Sequence, residues 1–234
     1  MFKFEKLVFG DLGWGDELLL ATLMTITVSI LSMGLGLCLA ILTVWAKLIT
    51  NRIARLIANF YTTVVRGVPE LLVIYLIFFG GNSVVMSVAK LFGYNGYIEL
   101  NALTIGTIAI AFISATYSSE VIRAAYLSVN KGQVEAAKAL GLSKFQILLR
   151  VMGPQIIRFA LPGIGNVWQI TLKDTSLISV TGLVEIMRQT RIASNVEHSP
   201  LTFLITAAFL YLFLTTFSGK FFKFLEQNYS KGYN

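Results

Sequence analysis

A chain of 234 residues that is 56% hydrophobic and 13% charged is far more apolar than soluble domains, which average roughly 25% charged residues. Its mean hydropathy of +0.73 and its long uncharged runs point to a polytopic membrane protein, since about 18 consecutive apolar residues suffice for a spanning helix. The single cysteine, Cys38, excludes an intrachain disulfide and a cysteine-built zinc site, and the lone loop histidine, His198, marks no metal site, so none is expected.

In chain order, "MFKFEKLVFGDLGWGDE" (1–17) is mixed in charge and lacks a cleavable signal pattern, so it reads as a retained external tail. Five spans follow, at about 18–46, 56–80, 100–122, 151–173 and 199–219, within a membrane domain of 18–225, and a tail of 226–234 closes the chain. Arg66 and Glu70 interrupt the second run, and Arg158 the fourth. Between the third and fourth spans lies "KGQVEAAKALGLSKFQILLRVMGPQ" (131–155), too polar to cross a bilayer and too well patterned for a slack linker. Gln133–Leu140 is rich in helix formers, and Gly141 is placed to stop that helix. Ser143 and Gln146 form an S-x-x-Q capping box, with Leu142 and Ile147 at the positions of a hydrophobic staple. The segment therefore encodes a short helix, a glycine turn, and a second helix running into the fourth span. Either it docks a partner or it is a hairpin resting at the membrane surface.

Short cytoplasmic loops are enriched in Lys and Arg. With "KLITNRIAR" (47–55) inside, the cytoplasmic side collects Lys47, Arg52, Arg55, Arg123, Lys131, Lys138, Lys144, Arg150, Lys220, Lys223 and Lys231. The other side has Lys3, Lys6, Lys90, Arg188 and Arg191, diluted by acids. Eleven cations against five set the N-terminus outside and the C-terminus and the 131–155 segment in the cytoplasm. The +7 net charge reflects this bias and not a nucleic-acid footprint, because no aromatic platform interleaves the basic loops.

"EAAKALGLSKFQILLRVMGPQ" resembles the EAA motif of ABC importer permeases, and three further stretches sharpen the likeness: "RGVPELLVIYLIFFG" (66–80), "YSSEVIRAAYLSVNKGQ" (117–133) and "ALPGIGNVWQITLKDTSLISVTGL" (160–183). Together they resemble the polar amino-acid permeases, most of all the Q-type subunit of histidine, lysine-arginine-ornithine and opine systems, over about Leu18 to Tyr229. The resemblance implies an all-α type I ABC permease fold of five helices in a bacterial inner membrane. It implies a second permease subunit, ABC ATPase subunits, a periplasmic substrate-binding protein, and a polar, cationic amino acid or opine as cargo. It also implies that Glu135, Ala136, Ala137 and Gly141 belong to a coupling loop docked on the ATPase. ATP and magnesium would be held by that ATPase and no cofactor by this chain, in which no lysine is followed by Ser or Thr as a nucleotide-binding loop requires.

Polar residues inside the spans should face protein or water. Arg66-Gly67-Val68-Pro69 breaks a helix, because proline lacks the donor and clashes one turn back; Arg66 is either part of a satisfied kink or a ligand contact. Asn166 and Gln169 read as interhelical hydrogen-bonding groups. Lys173 and Asp174 are either a local break with compensating charges or a gate. Glu120 lies three residues before Arg123, on the same helix face, so a salt bridge is one reading. Beside Tyr117, Ser118 and Ser119, the other reading has Glu120, helped by Tyr117, touching a cationic substrate along the path. Competing functions are a membrane enzyme, for which the spans hold no His and no repeated carboxylate pair, and a scaffold or channel-like subunit with no ATPase coupling, for which the patterned 131–155 segment has no use.

Overall fold

The computed structural model describes residues 3–10, 13–94, 96 and 101–230. Leu100, where the third predicted span begins, and the last four residues of the 226–234 tail lie outside the described residues. The order is a short 3-10 turn, Phe4–Leu7, then α1 Gly15–Leu48, α2 Arg52–Gly67, α3 Glu70–Tyr75, a π turn Leu76–Gly80, α4 Gly81–Leu91 and α5 Ala102–Leu127. There follow α6 Lys131–Ala139, α7 Lys144–Ile147, a π turn Leu148–Met152, α8 Gly153–Asp174, a 3-10 turn Thr175–Thr181, α9 Ile186–Glu197 and α10 Pro200–Ser230. Among the described residues every regular element is helical. Five stretches are long and apolar enough to cross a membrane: Gly15–Leu48, Glu70–Leu91, Ala102–Leu127, Lys144–Thr181 and Pro200–Tyr229.

The second of these differs from the stretch at 56–80 read from hydropathy. Val68, immediately before Pro69, is extended at φ −109° and ψ 143°, as the clash with a proline ring demands, and the helix divides there. The α2 portion is amphipathic: Ile53, Leu56, Ile57 and Phe60 are exposed on one face, while Ala58, Thr62 and Val65 are buried on the other.

The centre of the bundle is α5, which packs most extensively on α1 and then on α8. Small residues make this possible. A Cβ on Gly36 of α1 would stand 2.1 Å from the Ser114 hydroxyl of α5, so only glycine admits this approach. Ser32 bridges the seam by donating to the Thr107 carbonyl at 3.1 Å. Other buried hydroxyls on α1 satisfy themselves: Thr22, Thr25 and Ser29 donate to carbonyls one turn back at 2.7–3.0 Å. With lipid outside, such self-satisfaction keeps polar side chains inside a span without a water partner. Gln169 of α8 donates to the Thr215 carbonyl and the Ser218 hydroxyl of α10, both at 3.2 Å, and so joins two helices as its position suggested; Asn166 is exposed. The outward faces of α1 and α10 carry Leu20, Ile41, Trp45, Phe209, Phe213 and Phe217, all exposed. That is the composition expected where lipid replaces water.

At one end of the bundle the N-terminal segment is tied to the α9–α10 corner. Lys3 and Lys6 pair with Glu197 at 3.4 and 3.6 Å, and the Trp14 indole donates to the same carboxylate at 3.3 Å. The α6–α7 hairpin lies beyond α5, at the opposite end of the chain path through the membrane stretches.

Candidate functional site

The hairpin is built almost entirely by local chemistry. Asn130 caps α6 by accepting from the Gly132 amide at 2.8 Å, so the helix starts at Lys131, two residues earlier than its helix formers suggested. At its far end the Leu142 amide donates to the Ala137 carbonyl at 3.1 Å and the Gly141 amide to Lys138 at 2.9 Å, the paired bonds of a Schellman stop. Gly141 sits at φ +77°, a left-handed conformation that glycine adopts cheaply. The capping box is present: Ser143 N donates to Gln146 Oε1 at 2.9 Å, and Gln146 N to Ser143 Oγ at 3.3 Å. One long-range bond anchors the unit, from Gln155 Nε2 of α8 to Gln133 Oε1 at 2.6 Å. Ala137 faces inward while Glu135, Ala136 and Gly141 are exposed. At the turn Leu140 and Phe145 are 81% and 68% exposed, two apolar knobs on an otherwise polar loop. A hollow of about 280 Å³ beneath α6 is lined by Val134, Glu135 and Lys138 together with Tyr126 and Met152.

A second candidate region lies where α1, α2 and α5 meet. The polar face of α2 (Asn59, Thr62, Thr63, Arg66) opens with Lys47 of α1 and with Tyr117 and Glu120 of α5 into a cleft of about 660 Å³. Tyr117 lies about 22 Å along α5 from its start and about 15 Å from its end, at 1.5 Å per residue, so the cleft opens well away from either end of that helix. The Arg66 guanidinium stacks 5.5 Å from the centre of the Tyr117 ring, a cation–π arrangement. The Tyr117 hydroxyl donates to Glu70 Oε1 at 3.0 Å. Glu70 in turn lies within hydrogen-bonding reach of the Asp174 carboxyl. Two adjacent carboxylates repel unless a cation or a proton sits between them.

Two helix boundaries meet at this cluster. Glu70 opens α3 directly after the Pro69 break, and Asp174 is the last residue of α8 before the chain tightens into the 3-10 turn Thr175–Thr181.

The structure thus brings Arg66, Tyr117 and Asp174 together from three separate helices. Lys173 is exposed and contributes only its charge to Asp174. Glu120 lines the same cleft, but both of its oxygens are engaged. Oε1 is paired with Lys47, and Oε2 accepts from Arg123 Nη2 and Nε at 2.9 and 3.1 Å. The salt bridge to Arg123 that the spacing allowed is therefore present. Glu70 and Lys47 are the functional candidates that spacing did not reveal. Glu70 had no visible partner, because Asp174 lies more than a hundred residues away. Lys47 looked like an ordinary boundary cation, whereas its side chain is only 5% exposed and turned inward.

Among the described residues no group of three or more His, Cys, Asp or Glu could hold a metal ion.

Residues 32–231 match the family of binding-protein-dependent transport system inner membrane components. The chain is 49% identical to the nopaline transport system permease protein NocQ of Agrobacterium fabrum, covering 97% of this chain and 96% of that one. It is 37% identical to the histidine/lysine/arginine/ornithine transport system permease protein HisQ of Escherichia coli, covering 94% and 96%. Its fold superposes with a TM-score of 0.78 on the crystal structure of an amino acid ABC transporter with histidines, at 28% identity over 92% of this chain and 95% of that one. With five candidate spans and a match over nearly its whole length, the chain belongs to the binding-protein-dependent transport system inner membrane components and is a multi-pass permease subunit of the ABC importer class, in the inner membrane.

Proposed function

We propose that this permease passes a cationic amino acid or an opine into the cytoplasm through the cleft at Arg66 and Tyr117, beside the carboxyls of Glu70 and Asp174. Energy comes from ATP and magnesium on ABC ATPase subunits that seat on α6, around Glu135, Ala136, Ala137 and Gly141. A second permease subunit completes the path, a periplasmic substrate-binding protein delivers the cargo, and the hairpin and C-terminus face the cytoplasm with the N-terminus outside. The charge asymmetry of the loops supports that orientation. The observation that carries the cargo class is the juxtaposition of one guanidinium and two carboxyls around a tyrosine, within a membrane bundle. Arg66 suits the carboxylate of an amino acid, in the bidentate geometry that guanidinium offers, and Glu70 with Asp174 suits a cationic side chain. The names of the nopaline and histidine/lysine/arginine/ornithine relatives support the same class.

The test is ligand-stimulated ATP hydrolysis and uptake by the reconstituted complex over a panel of amino acids and opines. Glu70→Gln keeps the shape and the Tyr117 bond but removes a charge. Loss of one charge-assisted bond, about 1.5–3 kcal/mol, should raise KM for cationic substrates roughly tenfold to a hundredfold while leaving neutral ones little changed. Unchanged uptake of cations by the Glu70→Gln protein would remove this cleft as the cargo site.

A further inference from the structure

The cleft contains a buried ammonium that the proposed cargo contacts leave unused. Lys47 is the penultimate residue of α1, yet its side chain folds back into the bundle, where Nζ pairs with Glu120 Oε1 of α5 and donates to Thr62 Oγ1 of α2 at 2.7 Å. Lysines near a helix end ordinarily extend toward the aqueous interface, so an inward rotamer with the charge buried requires a compensating partner. Here that partner is a carboxylate in the wall of the cleft. Arg123 holds the other oxygen, so two cations match the single charge of Glu120 where it lines the cleft.

We infer that Lys47 is a positioning residue of the transport path: it masks Glu120, so that cargo bearing a positive charge meets the Glu70–Asp174 pair and is not held a second time farther along the cleft. The inference rests on the reading of this cleft as the cargo path. Its logic is that of any conducting path, in which each site must bind weakly enough to release. An uncovered carboxylate one helical turn from Tyr117 would bind the cation and delay its exit, whereas a masked one presents no such trap.

Lys47→Met removes the ammonium with little change in length and leaves Oε1 of Glu120 facing the cleft. For cationic substrates KM and kcat should fall together, each by about tenfold, the size of one charge-assisted hydrogen bond, while neutral substrates keep both values. The double variant Lys47→Met with Glu120→Gln has no carboxylate to unmask and should recover both parameters. A purely structural tie between α1, α2 and α5 predicts otherwise: kcat falls without a fall in KM, and the second substitution brings no recovery. Either result overturns the inference, as does a Lys47→Met protein with unaltered kinetics. Should Lys47→Met fail to assemble, Lys47→Gln, which keeps a donor for Thr62, must show the same split. If Glu70→Gln raises KM for cations and Lys47→Met does not lower it, the masking role alone is wrong. If neither substitution moves KM, the cleft assignment itself is wrong and takes this inference with it.

Discussion

The α6–α7 hairpin and the cleft around Tyr117 are held together by opposite means. Nearly every bond that shapes the hairpin joins residues within five positions of each other, from the Asn130 cap through the Gly141 stop to the Ser143–Gln146 box. The cleft depends on pairs 73 residues apart, Lys47 with Glu120, and 47 apart, Tyr117 with Glu70. The hairpin bonds satisfy backbone groups at the ends of short helices in a solvated loop, and each is worth about 1 kcal/mol. The cleft bonds neutralise charges inside a bundle of spanning helices, where losing one partner strands the other. The hairpin thus rests on local, modest terms, and the cleft on few, distant and interdependent ones.

The difference can be broken from either side, and the largest effect is expected at the seam that brings the cleft together. In Gly36→Val the new Cβ would meet the Ser114 hydroxyl and crowd the Ala111 carbonyl, driving α1 from α5 and carrying Lys47 away from Glu120. Overpacking of this kind costs about 3 kcal/mol. Thermal unfolding of the purified complex should register the loss, with transport gone while the hairpin still binds the ATPase; an unchanged melting temperature would contradict the close approach.

The reciprocal break is Gly141→Val. A β-branched residue forced to φ +77° costs about 1–2 kcal/mol, enough to spoil the turn without unfolding the bundle. Binding of a cationic substrate by the detergent-solubilised complex should survive, whereas stimulation of ATP hydrolysis by that substrate should be lost. Glu135→Lys, on the exposed face of α6, should act in the same direction by releasing the ATPase. Normal uptake in both variants would mean that the hairpin is not the coupling element.

The smallest effect is expected at the N-terminal corner, where the lysines paired with Glu197 are 40% and 35% exposed. Desolvation pushes the Glu197 carboxyl up, but the Trp14 indole and the ammoniums of Lys6 and Lys3 outweigh it and hold the group below the usual carboxylate range. A lowered folded value means that this tie contributes at neutral pH and is lost only as pH falls through that lowered value. Glu197→Gln should therefore leave transport near normal at pH 7 and shift the melting temperature slightly, less so at high salt, because pairs with exposed ammoniums are weak and screened. A loss as large as that of the buried Lys47 change would refute the contrast between exposed and buried ammoniums.

What could be read from the chain alone follows the same division. Hydropathy found five membrane stretches because a spanning helix must be apolar over its whole length, whatever its neighbours. Pro69 announced a break because its ring forbids the helix locally. The capping box and the glycine stop were legible because all their atoms belong to one short segment, and the Glu120–Arg123 pair because a helix brings i and i+3 together. The stretch read at 56–80 divides at Val68 in the structure, and its hydropathy cannot show that α2 turns one face of Asn59, Thr62 and Arg66 into a cleft. No local rule could reveal that Lys47 points inward, that Glu70 meets Asp174, or that Gly36 must be glycine. Those facts depend on which helices become neighbours and at what depth, and that is decided by side-chain packing summed over the whole bundle, a quantity no short window of sequence contains.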